Sequence, residues 1–386
     1  MATGTQHEQR ETRRRDLNLV APLLVMLFAA TAMLIHTSAA HGGTPRMGVA
    51  WTCVVVAITA AAALACNRIA IRMAVLRNTG MAVWTLLAGA GLAAWTGVAA
   101  AGPMGGDRPA LTAVFCAAGM IVADTALVFP NATDPTLRGV ASTLAATALM
   151  LAICSAGTIL AGLPASILAG GVTAAGVCAI QLMPNIVVHV PDRYLVEWRT
   201  YMTRRWTVRG SIPDEARVLT PKDVSEDMRS FLARYAAGLS LAVTLAASAY
   251  LALAAWMDHG ALLDRIGFHT LSLTLFLFLT LKPRQSGRPF ERYLMRAAAL
   301  VVAAVWLAHI RQTLPVAGSV TPLAGMATFA VVGMLIGYGM LAQRSGFHSL
   351  ALSRIGDALC FASTMLTPAA AFLAAGTFEL LRGMPW

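Results

Sequence analysis

Apolar and polar residues fall into long blocks along this chain instead of alternating at the period of a soluble helix or strand. Eleven predominantly apolar runs lie near residues 17–36, 48–66, 79–101, 110–129, 139–161, 164–186, 237–256, 266–281, 293–310, 321–341 and 357–379. Each is close to the length that crosses a hydrocarbon core as a helix. The run at 266–281 is the shortest, and that at 164–186 has an alternative end at Pro184. The pattern predicts an all-α polytopic membrane protein, a bundle of about 11 transmembrane helices. The longest polar interruption, from Pro191 to Arg234, sets the organisation. A basic tail over 1–16 precedes a membrane half of six spans over 17–186, a central loop and helix over 187–236, and a second half of five spans over 237–386.

Composition excludes a soluble domain. The chain is 58% hydrophobic and only 12% charged, with a mean hydropathy of +0.68, whereas soluble domains average about a quarter charged residues. The net charge of +11 would suggest nucleic acid in a soluble protein, but its distribution gives it another meaning. Assigning loops to alternate sides places 23 Lys and Arg on the side of the N-terminus and central loop. Only five, Arg46, Arg108, Arg265, Arg311 and Arg382, fall on the other side, and Arg296 lies inside a span. A miscounted span would switch every later loop and destroy that asymmetry. The positive-inside rule therefore predicts a cytosolic N-terminus and central loop, an external C-terminus, and no nucleic-acid partner. The first run is longer than the apolar core of a signal peptide, so it reads as an uncleaved span.

The central loop interleaves cations with aromatic rings. Arg193, Trp198, Arg199, Arg204, Arg205 and Trp206 suit the boundary between water and anionic headgroups, and equally a partner's surface. Farther on, Thr220, Pro221 and Asp223 form a helix-start pattern: an N-cap, a first-turn proline and an acid favoured by the helix dipole. The helix is expected to run on through Phe231 and Tyr235 into the seventh span.

Chemistry is sparse. No GxxxxGK[ST] loop, HExxH pair or GxSxG elbow occurs, and the two lysines, Lys222 and Lys282, sit in no phosphate-binding context. The six cysteines lie in or beside apolar runs without a paired motif, and the histidines are scattered, mostly at span ends. The sequence thus nominates no catalytic, cofactor-binding or metal-ligating residue and reads as non-enzymatic. Asp124 stands apart, about five residues inside the fourth run and so about 7 to 8 Å deep by helical rise. It fits either a proton or cation relay or a structural role, bonded to a neighbouring helix or to an arginine. A small-molecule permease with Asp124 as coupling residue is the alternative function, and the lack of other deep charges counts against it. Small residues in AGAGLAAWTGVAAAG and at Gly333 and Gly337 are suited to close helix packing.

From Leu182 onward three stretches carry a family likeness: MPNIVVHVPDRYLVEWR, SIPDEARVLTPKDV, and the closing ALSRIGDALCFASTMLTPAAAFLAAGTFELLRGMPW. They resemble the integral membrane protein EccD of type VII secretion systems. The matching positions are Pro184, the segment from Pro213 to Val224, Arg354 with Asp357, Pro368, and Leu380, Arg382 and Gly383. Layout extends the resemblance over 17–386. It implies a multi-pass protein of the bacterial plasma membrane and a non-enzymatic scaffold of an ESX-type secretion complex that helps anchor the secretion ATPase. It also implies a homodimer enclosing membrane lipids, with EccB, EccC and EccE type subunits as partners. Family members usually begin with a cytosolic ubiquitin-like domain, and the 1–16 tail is too short to be one. The expectation is then a separate ubiquitin-like protein, or docking through the central loop alone.

Overall fold

The computed structural model describes residues 49–76, 79–104, 108–132, 134–187, 221–257, 261–286, 288–313 and 350–383. In chain order the helices are α1 Val49–Val75, α2 Thr79–Met104, α3 Pro109–Val128, α4 Pro135–Leu160 and α5 Ala165–Val187, followed by α6 Pro221–Trp256, α7 Leu262–Leu281, α8 Pro289–Thr313, α9 Leu350–Ala374 and the short α10 Thr377–Gly383. Among the described residues, nine helices, α1 to α9, are long and apolar enough to cross a membrane. They coincide with nine of the eleven predicted runs. The runs at 17–36 and 321–341 lie outside the described residues.

Several helices outgrow the apolar runs that announced them, for local reasons. The shortest run becomes a span of 23 residues, Leu262–Arg284, because Asp264 and Arg265 at its start and Lys282 and Arg284 at its end are charged without ending the helical backbone. Asp264 is only 3% exposed and faces the turn at Gly376, where an added Cβ would lie 3.1 Å from its Oδ2. α4 starts at Pro135 because Asp134 accepts a hydrogen bond from the Thr136 amide at 2.8 Å, an N-cap with proline in the first turn. α5 passes through Pro184 to Val187 instead of stopping there. The last run is not one helix. It breaks at Ala375 and Gly376, the latter at φ 77°, before α10 begins.

Packing divides the helices differently from chain order. α1 packs on α2, α2 on α3 and α3 on α4, burying Ala82, Leu86, Val128, Leu137 and Leu144 in one cluster. A second cluster gathers α5 to α9 around Tyr250, Phe268, Leu271, Leu275 and Phe278. So α5, which the chain places before the central loop, packs with the helices that follow it. α6 serves both clusters. It contacts α4, α5 and α8 and contributes Leu241 to the first cluster and Val243, Tyr250 and Leu253 to the second. Glycines set the closest approaches: Gly97 of α2 lies against the α3 backbone at Cys116 and Ala117. A Cβ at Gly170 of α5 would come within 2.7 Å of the Ala371 carbonyl of α9. Such positions let backbones touch where dispersion, not water exclusion, holds helices together.

The contacts define two opposite faces. Arg234 of α6 lies beside Gly139 of α4, and Arg284 beyond α7 lies beside Gly356 of α9, so the N-terminal ends of α4, α6 and α9 share one face. Tyr235 reaches Glu291 and adds the start of α8 to it. On the opposite face Ser166 of α5 donates to the Ala375 carbonyl after α9 at 2.9 Å. The first face carries Arg138, Arg234, Arg284, Arg288 and Arg292 and is termed the basic rim.

Candidate functional site

Most of the residues singled out from the sequence, Arg193, Trp198, Arg199, Arg204, Arg205, Trp206, Gly333 and Gly337, lie outside the described residues. Asp223 falls in the first turn of α6. Asp124 is described in full. The structure adds sites on both faces that sequence reasoning missed.

At the basic rim α6 begins ten residues ahead of its apolar span, which starts at Phe231. This lead is about 15 Å of helix at 1.5 Å per residue. Where it enters the bundle, the turn from Lys282 to Pro289 is fastened to it. Ser286 Oγ donates to Glu291 Oε2 at 2.5 Å, and the Tyr235 hydroxyl donates to the same oxygen at 3.5 Å. The Arg288 amide donates to Ser286 Oγ at 3.1 Å, and Arg292 Nε to the Ser286 carbonyl at 2.9 Å. The Arg288 guanidinium lies 3.9 Å from Glu291 Oε1 and 5.6 Å from the centre of the Tyr235 ring. Glu291, 6% exposed, is thus the hub of the network. Its sequence signal was available: Pro289 followed by an acid in the first helical turn is a dipole-favoured start. On the other flank Gly139 leaves room for the Arg234 stem, since a Cβ there would come within 2.9 Å of Arg234 Cγ and Nε.

The opposite face has its own fixture. α4 ends in a Schellman motif: the Leu163 amide donates to the Thr158 carbonyl at 3.0 Å and the Gly162 amide to Ile159 at 3.2 Å, with Gly162 at φ 71°. Arg108, from the α2–α3 connection, completes it. Its Nη2 donates to the Gly162 carbonyl at 2.6 Å and its Nη1 to the Leu163 carbonyl at 3.0 Å. Nη1 also reaches the Thr158 carbonyl in the last turn of α4 at 3.5 Å, and a cation at the C-terminal end of a helix is favoured by both hydrogen bonding and the helix dipole. This role explains an arginine on the face that otherwise carries few. Below it a cavity of about 780 Å³, lined by Leu92, Trp95, Ala117, Leu151 and Leu245 among others, runs between α2, α3, α4, α5 and α6.

Asp124 of α3 is 5% exposed and is met by Asn67 of α1, 3% exposed. Asn67 Nδ2 donates to Asp124 Oδ1 at 2.6 Å and approaches the Asp124 main-chain oxygen at 3.3 Å. Gly89 of α2 faces them, so three helices meet at the pair. Neither residue lines the apolar cavity. The arrangement is that of an interhelical hydrogen bond with an amide, one of the structural alternatives left open by the sequence. Among the described residues no cluster of His, Cys, Asp and Glu is arranged to hold a metal ion.

No protein-family model matches the chain. No curated protein matches it either. A solved structure does: a chain described as protomer 1 of the ESX-3 core complex shares the fold at a TM-score of 0.58 and 14% identity, over 98% of this chain and 80% of that one. The shared fold agrees with the resemblance read from the closing stretches of the sequence.

Proposed function

We propose that this chain is a non-enzymatic membrane scaffold subunit of a type VII, ESX-type, protein secretion complex. One observation carries the reading: the fold it shares with a chain of the ESX-3 core complex extends over 98% of its length. Two features support a scaffold over a catalyst. The polar networks at both faces tie helices to one another, and the large cavity is lined by apolar side chains. In this reading the chain sits in the bacterial plasma membrane as a homodimer with its basic rim toward the cytosol. It assembles with EccB, EccC and EccE type subunits and presents α6 and the loop before it to the secretion ATPase. The alternative, a permease with Asp124 as coupling residue, has less support, since Asp124 accepts a hydrogen bond from Asn67 and does not line the cavity.

The test is affinity purification of the tagged chain from its native membrane. Recovery of a multi-ATPase-domain membrane protein with it is the expected result. Recovery of the chain alone, together with unimpaired protein export in a deletion strain, overturns the proposal.

A further inference from the structure

Two oxygens at the three-helix junction have no hydrogen-bond partner: Oδ1 of Asn67 and Oδ2 of Asp124. Both side chains are more than nine-tenths buried. The described lysines and arginines form no ion pair with Asp124, and the titratable group beside it is the Cys66 thiol of α1. α2 contributes Gly89, and the Thr125 hydroxyl is turned back onto the Ile121 carbonyl of its own helix.

A carboxylate in this position would hold a full charge against one neutral amide, in surroundings that strongly disfavour a charge without a counterion. A neutral acid has a different requirement, an acceptor for its O–H. The Asn67 amide already donates to Oδ1 of Asp124, and its own oxygen lacks a donor. We infer that Asp124 is held as a neutral carboxylic acid whose Oδ2–H is donated to Oδ1 of Asn67, closing an acid–amide ring of two hydrogen bonds between α1 and α3. A single proton, taken from water as the helices assemble, satisfies both orphan oxygens together. α2 covers the ring, since even a Cβ at Gly89 would come within 2.9 Å of Asn67 Oδ1. The ring is a fixed clamp and does not depend on the secretion role.

Infrared difference spectroscopy of the full-length protein in lipid nanodiscs tests this at neutral pH. The wild type minus Asp124→Asn spectrum is expected to show the carbonyl band of a protonated carboxylic acid. In Asn67→Leu that band moves to the higher frequency of a less hydrogen-bonded acid. A carboxylate band in its place, or a band indifferent to Asn67→Leu, overturns the inference. Thermal unfolding supplies a second reading: Asp124→Asn, which can form an amide–amide ring, melts near the wild type, and Asp124→Leu melts lower. Equal losses in the two variants would mean that the charge matters and would also overturn it.

Discussion

Single residues here are decided by what lies one van der Waals radius away. Gly97 and Gly91 occupy the same stretch of α2, yet a Cβ at Gly97 would collide with the α3 backbone while one at Gly91 meets nothing within 4 Å. Gly97→Val is therefore expected to cost about 1 to 3 kcal/mol by overpacking, and Gly91→Ala to stay within about 1 kcal/mol of the wild type. Unfolding in detergent, followed by circular dichroism, compares the two. Sequence alone could say that small residues abound in AGAGLAAWTGVAAAG, but not which glycine meets a neighbour, because that depends on how two helices cross. Arg108 makes the same point for charge. By position it is one of few cations on its face, and only the fold reveals the carbonyls of Gly162 and Leu163 at its tip. Arg108→Ala should release the end of α4 at a cost of about 1 kcal/mol. Faster hydrogen exchange at the Gly162 and Leu163 amides, with the rest of α4 unchanged, is the expected readout.

At the scale of elements, existence was legible and extent was not. Nine predicted runs became nine described helices because twenty or so apolar residues have few alternatives in a bilayer. Ends were missed where polar residues stay helical: Asn67 and Arg72 in α1, Asp264 and Arg265 in α7. The start of α6 was legible at Pro221, since proline at a first turn is a local rule. Its anchorage through Glu291 was not, because 56 residues separate that acid from Tyr235. Replacing Glu291 by Leu removes the acceptor shared by Ser286 and Tyr235, leaving two donors to find others. The loss is expected to be about 1 to 3 kcal/mol. Spin labels on α6 ahead of Phe231 and on the turn after α7 should report a broader distance distribution in the variant.

For the whole molecule, the packing among the described helices joins α5 to the later helices and threads α6 through both clusters. Chain order could not reveal this, since burial partners are chosen by side-chain fit across the bundle. The functional proposal makes its own demand at this scale. If the loop before α6 docks the ATPase, charge reversal of Arg204 and Arg205 to Glu should reduce co-purification of that partner several-fold while the membrane domain keeps its melting temperature. Undiminished recovery and export would remove the loop from that role.

α6 runs 36 residues from Pro221 to Trp256 with no proline after its first position, so nothing in its sequence provides a hinge of that kind. Its far end, Trp256, borders both the apolar cavity and the smaller one beside Arg108. A push or twist delivered to the protruding end would then travel as motion of a rod, not dissipate as bending. Under the proposed function, load applied by a partner at the first face would be carried along α6 toward the two cavities that Trp256 borders near the other.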